Sequence, residues 1–448
     1  MPFDFEARGR PRPGMRIAVI GAGVSGLSAA WLLSSVHEVI VYERESRLGG
    51  HANTVEVPFG DDVIPVDAGF IVYNEPAYPN LTALFGHLGV ATEKTCMSFA
   101  ASVNAGAVEY SGQSLSAVFA DRRNLASPKF WSMLRDIVRF HRDARRALAE
   151  DSLQDESLSA FVARRGYGQP FTDYFLKPMA SAIWSTPSAR ILDFSAAAFI
   201  RFYDNHGLLR VLNLPEWRTV SGGARVYVER LAASLLPKAR LGARVVSVRR
   251  TQSGVEVADA SGAVDRFDAA VIASHADEAL AMLTDADASE RRVLGAFKYQ
   301  KNKAFVHFDA AHMPRRRRAW SSWNYIGDGE GFAATYWMNR LQNLAAPRDI
   351  FVTLNPRAPI RDEDIVAEFD YAHPMFDLDA ANAQKEVWSL QGRGGVWFCG
   401  AHFGQGFHED GLQAGLATAE ALGGVRRPWR VPNESGRIRL APAKAAAS

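Results

Sequence analysis

Residues 15–33 read "MRIAVIGAGVSGLSAAWLL", and the order of residue types in this stretch decides the fold. Met15 to Ile20 is a short apolar run of strand character. Gly21, Gly23 and Gly26 come next at G-x-G-x-x-G spacing, and Leu27 to Leu33 is small and apolar, as a buried helix is. Strand, tight turn and helix in this order form the phosphate-binding unit of a doubly wound sheet. The first glycine bends the chain, the second lets backbone approach a pyrophosphate, and the third lets helix pack on strand. Ser25 opens that helix, where free N–H groups and the positive dipole end meet phosphate. A second strand, "EVIVYE", ends at Glu43 about 20 residues further on, where an acid meets a ribose hydroxyl, with Arg44 beside it.

The residues just after Glu43 separate FAD from NAD. The stretch "ERESRLGGHANT" carries E-x-x-x-R-x-G-G through Glu43, Arg47, Gly49 and Gly50, and a plain NAD domain asks nothing of those positions. The string resembles the extended dinucleotide motif of the flavin amine oxidase and phytoene desaturase superfamily. That resemblance implies non-covalent FAD, with Arg47 and the glycine pair along its diphosphate. His51 stands where the family usually has a second arginine. By the same resemblance, "VIPVDAGF" brings Asp67 and Gly69 from the phosphates toward the flavin ring, and Val245 lies near the adenine. "GVWFCGAHFGQGFHEDGLQAGLATAEAL" (residues 395–422) then supplies a strand end at Gly400 and Ala401 and a helix through Glu409, Gly411 and Leu412. A flavin's pyrimidine edge becomes anionic on reduction, so a helix N-terminus there is a fitting partner. Two departures are His402, in place of an acid, and Asp410, in place of a small residue at the helix start.

The expected fold class is α/β: a discontinuous Rossmann-type FAD-binding domain from residues 15–75, 220–285 and 386–424, with an α+β substrate domain from 76–219 and 286–385. Residues 1–14 and 425–448, rich in Pro, Arg, Gly or Ala, read as tails. Between Ala239 and Ser274, alternating residues and Ser-Gly turns predict short strands.

With 448 residues, 48% hydrophobic and 22% charged, and a net charge of +2, the composition is that of an ordinary globular protein and gives no reason to expect nucleic acid. Cys96 and Cys399 are too few for a disulfide framework or a metal site, and none is expected. No apolar run approaches the roughly 20 residues of a membrane span, so a cytoplasmic protein is expected, with peripheral contact at the inner membrane face as one further expectation. That contact rests on "FWSMLRDIVRFHRDARRALAED", a helix with Trp131, Leu134, Ile137, Val138 and His141 on one face and five arginines toward the others, and on "PRRRRAW". Aromatic residues crowd 171–203 and 320–337, which suggests a large apolar pocket.

A flavin takes hydride from a carbon held over its N5 atom, so the protein contributes orientation, dryness and one base at most. By family resemblance, Lys303 in "KAFVHFDAAHMP" is the flavin-facing lysine, Phe407 is one wall of an aromatic cage, and His408 adjoins it. His307 and Asp309 are further candidate proton carriers. "FLKPMASAIWSTP", "FYDNHGLL", "AWSSWNY" and "TYWMNRLQ" resemble a bacterial branch of predicted NAD/FAD-binding amine oxidase-like proteins. That branch implies desaturation, oxidation or double-bond isomerisation of a lipid acyl chain. Alternatives are an amine oxidase producing hydrogen peroxide and an FAD-containing lipid-binding protein without turnover. No second G-x-G-x-x-G appears in a strand–turn–helix context, so a separate NAD(P)H site is not expected.

Overall fold

A computed structural model describes residues 14–153, 155–210, 214–327 and 331–440. The N-terminal tail up to residue 13 and the last eight residues of the C-terminal one lie outside the described residues.

The apolar runs become a five-stranded parallel sheet in the order Ala239–Arg240, Glu38–Tyr42, Arg16–Ile20, Ala269–Ile272, Val396–Phe398. Ile17 pairs with Val39 on one side and Ala269 on the other. Strands covered on both faces need continuous apolar sequence rather than alternation, and Ile17 to Val19 and Ala269 to Ile272 are accordingly buried. The turn helix Val24–Leu33 covers one face and lies against the closing helix His408–Gly423. Their backbones touch, since a Cβ on Gly415 would lie 2.2 Å from the Ser25 carbonyl oxygen. Residues 245–267 fold as three antiparallel strands, Val245–Thr251, Gly254–Asp259 and Val264–Phe267, joined by the expected turns.

The second large sheet has seven strands, in the order Ile365–Met375, Lys298–His307, Phe351–Leu354, Phe332–Trp337, Trp323–Gly327, Phe99–Val103, Val108–Ser111. All its pairs are antiparallel except Trp323–Gly327 with Phe99–Val103. One face meets helices between residues 128 and 205, burying an aromatic core that includes Phe140, Phe171, Phe199 and Tyr203.

The basic helix forms at Pro128–Ala149, with Pro128 at its start and the Ser127 hydroxyl accepting the Phe130 N–H at 3.3 Å. Its phase differs from the expectation. Phe130, Met133, Asp136, Phe140, Ala144 and Ala147 face the core, while Trp131 and Val138 face water. The core admits Asp136 because Arg139 and the Gly168 N–H satisfy its carboxylate.

The C-terminal expectation is also corrected. Residues 425–440 pack on the protein: Arg427, with its side chain fully buried, forks onto Glu420 at 2.8 and 2.9 Å and reaches Asn80, and Trp429 stacks on Trp31. A Pro- and Arg-rich composition looks solvated only when these distant partners are unknown.

Candidate functional site

A cavity of about 1530 Å³ opens where the two large sheets meet. At one end it is lined by Gly21, Gly23 and Ser25 of the turn, by Glu43, Arg44, Arg47, Gly50 and His51, and by Gly69, Val245, Gly400 and Ala401. Twelve of the eighteen positions expected to bind cofactor thus converge on one space.

The turn explains their geometry. Gly21 has φ of +100°, open only to glycine without strain. Glu43 is buried and fixed, one oxygen accepting the Ala22 N–H at 2.7 Å and the other the Glu45 N–H at 2.9 Å. Arg47 donates to the Gly50 carbonyl at 2.9 Å. Gly50, at φ +56°, sits so close that a Cβ would stand 3.1 Å from the Gly23 Cα.

Six expected cofactor contacts do not line the cavity. Gly26 and Gly411 are close-approach positions, where a Cβ would meet the Gly21 carbonyl oxygen at 1.9 Å or the Ser25 hydroxyl at 2.8 Å. Gly49 donates its N–H to the Ala22 carbonyl from behind the turn at 2.8 Å, and Leu412 is core. Asp67 is a buried bracket that accepts from Thr54, the Ala224 N–H and Gln342, and burial pushes its carboxyl up to about 7. Glu409 accepts from the Asn80 and Leu81 N–H groups, the Asn80 side chain and Gln413. It therefore ties the closing helix to Pro79–Leu88 instead of facing a ligand.

The expected catalytic positions divide. Lys303 is exposed, ion-paired with Glu368, and outside the cavity. Asn302 and Ala304 take the buried side of the strand and alternation leaves Lys303 exposed; on that same exposed side it is Lys301, two residues earlier, that lines the cavity. His307 and Asp309 are outside the cavity as well, with His307 bonded to Thr353 at 2.7 Å. Phe407 does line the cavity, but its ring stacks on Phe202 at 4.7 Å. Rings in contact leave no slot between them for an amine. His408 lies flat on Phe70 at 3.9 Å and shares a 2.9 Å hydrogen bond with the Tyr227 hydroxyl. Burial pushes its imidazole down to about 3, so it is neutral.

Sequence reasoning named His51 and His402 but missed His275 and His373, which form a cluster with them. His51 stacks on Tyr371 at 4.9 Å, His373 meets His51 edge-on at 5.3 Å, and His275 stacks on Tyr299 at 4.4 Å. With His402 they all line the cavity. Burial holds His373 at about 4 and His402 at about 3. The signal for His275 was its place beyond the carboxyl end of the parallel strand Ala269–Ile272, where ligands of open α/β sheets bind.

The family defined as flavin containing amine oxidoreductase matches residues 24–344. The chain belongs to that family. Among curated proteins, a chloroplastic/chromoplastic 15-cis-phytoene desaturase of Narcissus pseudonarcissus is 36% identical over 88 residues, which is 19% of this chain and only 15% of the desaturase. Among solved structures, putrescine oxidase bound to putrescine has a TM-score of 0.64 at 16% identity, covering 91% of this chain and 98% of that one. A CLA-producing fatty acid isomerase from P. acnes has a TM-score of 0.62 at 16% identity, covering 91% and 97%. At such identities the likeness is one of fold. It agrees with the expected α/β architecture, a parallel dinucleotide-type sheet beside a second, mostly antiparallel one.

The family is flavin-containing, and the residues of this cavity fit a flavin nucleotide. Gly23 has open space on the side where a Cβ would project, which matches close phosphate approach. The buried Nε2 atoms of His51 and His402 have no hydrogen-bond partner within the chain. Unsatisfied buried polar atoms are uncommon and call for a partner. Among the described residues, no helix is long and apolar enough to cross a membrane and no His/Cys/Asp/Glu group is placed to hold a metal.

Proposed function

We propose that the protein is an FAD-dependent oxidoreductase that acts on a lipid acyl chain, by desaturation, oxidation or double-bond isomerisation. One observation carries this reading: the cavity continues from the glycine turn into an apolar arm lined by Met97, Phe99, Met179, Ile183, Leu354 and Phe369. Single-ligand pockets run to about 1,000 Å³, so a volume of about 1530 Å³ accommodates a dinucleotide and a second, apolar ligand. Bound FAD would supply the hydride acceptor.

The chain's own residues divide the remaining work. Gly21, Gly23, Arg47 and Gly50 would hold the diphosphate, and Glu43 and Val245 would hold the ribose and adenine. His51 and His402, whose buried Nε2 atoms have no partner within the chain, would offer hydrogen bonds to the bound cofactor. The aromatic and aliphatic arm excludes water and aligns methylenes. His408, neutral and hydrogen-bonded to the Tyr227 hydroxyl, would hold one proton on its ring.

The test is the visible spectrum of the purified protein before and after anaerobic addition of bacterial phospholipid, with the acyl chains analysed afterwards. Bleaching of the flavin band, or a displaced double bond without bleaching, supports the reading. Unchanged acyl chains and an unchanged spectrum overturn it, and bleaching by an amine instead identifies an amine oxidase.

A further inference from the structure

We propose that the outer face built from the short helix Leu115–Val118, the turn Arg122–Ala126, the basic helix Pro128–Ala149 and the turn Arg317–Ala319 docks on an anionic phospholipid bilayer. Its apolar side chains project into water: Leu115 is 80% exposed, Leu125 53%, Trp131 50% and Val138 70%. They belong to one surface. The Trp131 indole donates to the Leu125 carbonyl at 2.9 Å, and the Leu115–Val118 helix packs on the Arg317–Ala319 turn. Along the basic helix, Trp131, Arg135, Val138, Arg142 and Arg145 succeed each other at spacings of three and four, which places them on a single stripe.

Beside Leu115 lies a depression of about 530 Å³, lined by Ser114, Ser116, Arg317, Arg318 and Arg340 and walled by Trp320 and Trp337. Arg317 rests on Trp320 at 3.7 Å and pairs with Asp349 at 3.3 Å. Arg318 and Arg340 make no ion pair among the described residues. Of the acids of this region, Glu109, Asp121 and Asp136 are buried, and Asp143, Glu150 and Asp349 are each taken by an arginine, Arg142, Arg146 and Arg317. Arg145, like Arg318 and Arg340, has no acid against it among the described residues. What reaches the surface is therefore cationic and apolar together.

That combination selects the partner. Guanidinium groups attract any phosphate, but exposed Leu, Val and Trp side chains gain only where the partner also offers an apolar layer beneath its phosphates. A bilayer does so, and amphipathic helices with basic residues and Trp bind it in this manner. The location suits the proposed chemistry: Trp337 lines the depression while its neighbour Tyr336 lines the large cavity, so the two spaces flank the same strand, Phe332–Trp337. Docking is independent of what the cavity turns over, because it involves none of the cavity's groups.

The experiment is cosedimentation of the flavin-loaded full chain with phosphatidylcholine vesicles, with and without phosphatidylglycerol. Binding is expected only with phosphatidylglycerol, and is expected to weaken as salt is raised. The double variant Arg318→Glu/Arg340→Glu and the variant Val138→Asn should each bind less, the first by about tenfold or more, with flavin spectrum and melting temperature retained. Equal binding to both vesicle types, no binding to either, or undiminished binding by both variants would overturn the proposal.

Discussion

Glu409 offers the sharpest separation between structural and cofactor-binding roles. Its carboxylate is fully buried and accepts the N–H groups of Asn80 at 3.1 Å and Leu81 at 3.0 Å, with the Asn80 side chain at 2.8 Å and Gln413 at 2.9 Å. Glu409→Leu keeps the volume and leaves those two backbone donors orphaned. Each buried, unpaired N–H costs about 1–3 kcal/mol. Burial raises the Glu409 carboxyl above its ordinary value, so its charge is itself held at some cost and the net loss falls in the lower half of that sum, about 2–4 kcal/mol. For a chain of this length the entropy of unfolding converts that loss to a fall in melting temperature of about 2–4 °C. Calorimetry on flavin-loaded and flavin-free protein decides the role. A strut between two helices is present in both, so both should shift by the same amount. A shift confined to the loaded form, with the free form unmoved, would rule out the strut and return Glu409 to the cofactor.

Three further outcomes are expected from the site. His402 and His408, each near 3 in the folded protein and near 6.5 when unfolded, are bases of lowered pKa. Their contribution is present above about pH 6.5 and is lost as pH falls toward 3, by about 2 kcal/mol each at about pH 5. In urea titrations His402→Leu should then lose less stability between neutral and acid pH than the parent, and an identical loss would contradict the assignment. Lys303→Met should leave photoreduction of the flavin and its spectrum unchanged, because its ammonium sits outside the cavity on Glu368; a slowed reduction would restore the lysine to the site. Gly50→Glu should purify without flavin, as a side chain there stands against Gly23; a full absorbance ratio would show that the glycine pair does not shape the cradle.

The parts of the fold that were legible in sequence are those set by local backbone demands. Gly21 and Gly26 declare their turn because no other residue fits, the first for its φ and the second for its contact with the Gly21 carbonyl, and buried parallel strands declare themselves as unbroken apolar runs. Positions defined by partners far away in the chain were not legible. Glu409 reads as a ligand in isolation, and its partner Asn80 is 329 residues distant. Arg427 reads as solvated tail until Glu420 and Asn80 are placed around it. Lys303 is different: the alternation of "NKAFV" already marks it as exposed and Asn302, Ala304 and Val306 as buried, but that the cavity reaches Lys301 and stops short of Lys303 is set by the fold and not by the local pattern. The basic helix failed by phase alone, since two apolar stripes compete on it and only packing chooses between Phe130 and Trp131.

Charge placement weighs one substrate class against the other. The buried carboxylates near the cavity have partners within the chain: Glu43 the Ala22 and Glu45 N–H groups, Asp67 Thr54 and Ala224, Glu409 Asn80 and Leu81, and Asp410 the Phe407 N–H and, at 3.6 Å, Arg437. Glu368 and Asp370 at its edge are exposed and face Lys303. The cavity's histidines are kept uncharged by desolvation. An ammonium ion entering the apolar arm would thus exchange water for neutral rings, whose cation–π attraction of about 1–2 kcal/mol offsets only part of the cost of desolvating a charge. A methylene chain makes the same passage favourably, gaining about 0.8 kcal/mol for each CH₂ buried. The same walls that would reject a cation would draw in an acyl chain, which supports lipid over amine as the substrate class.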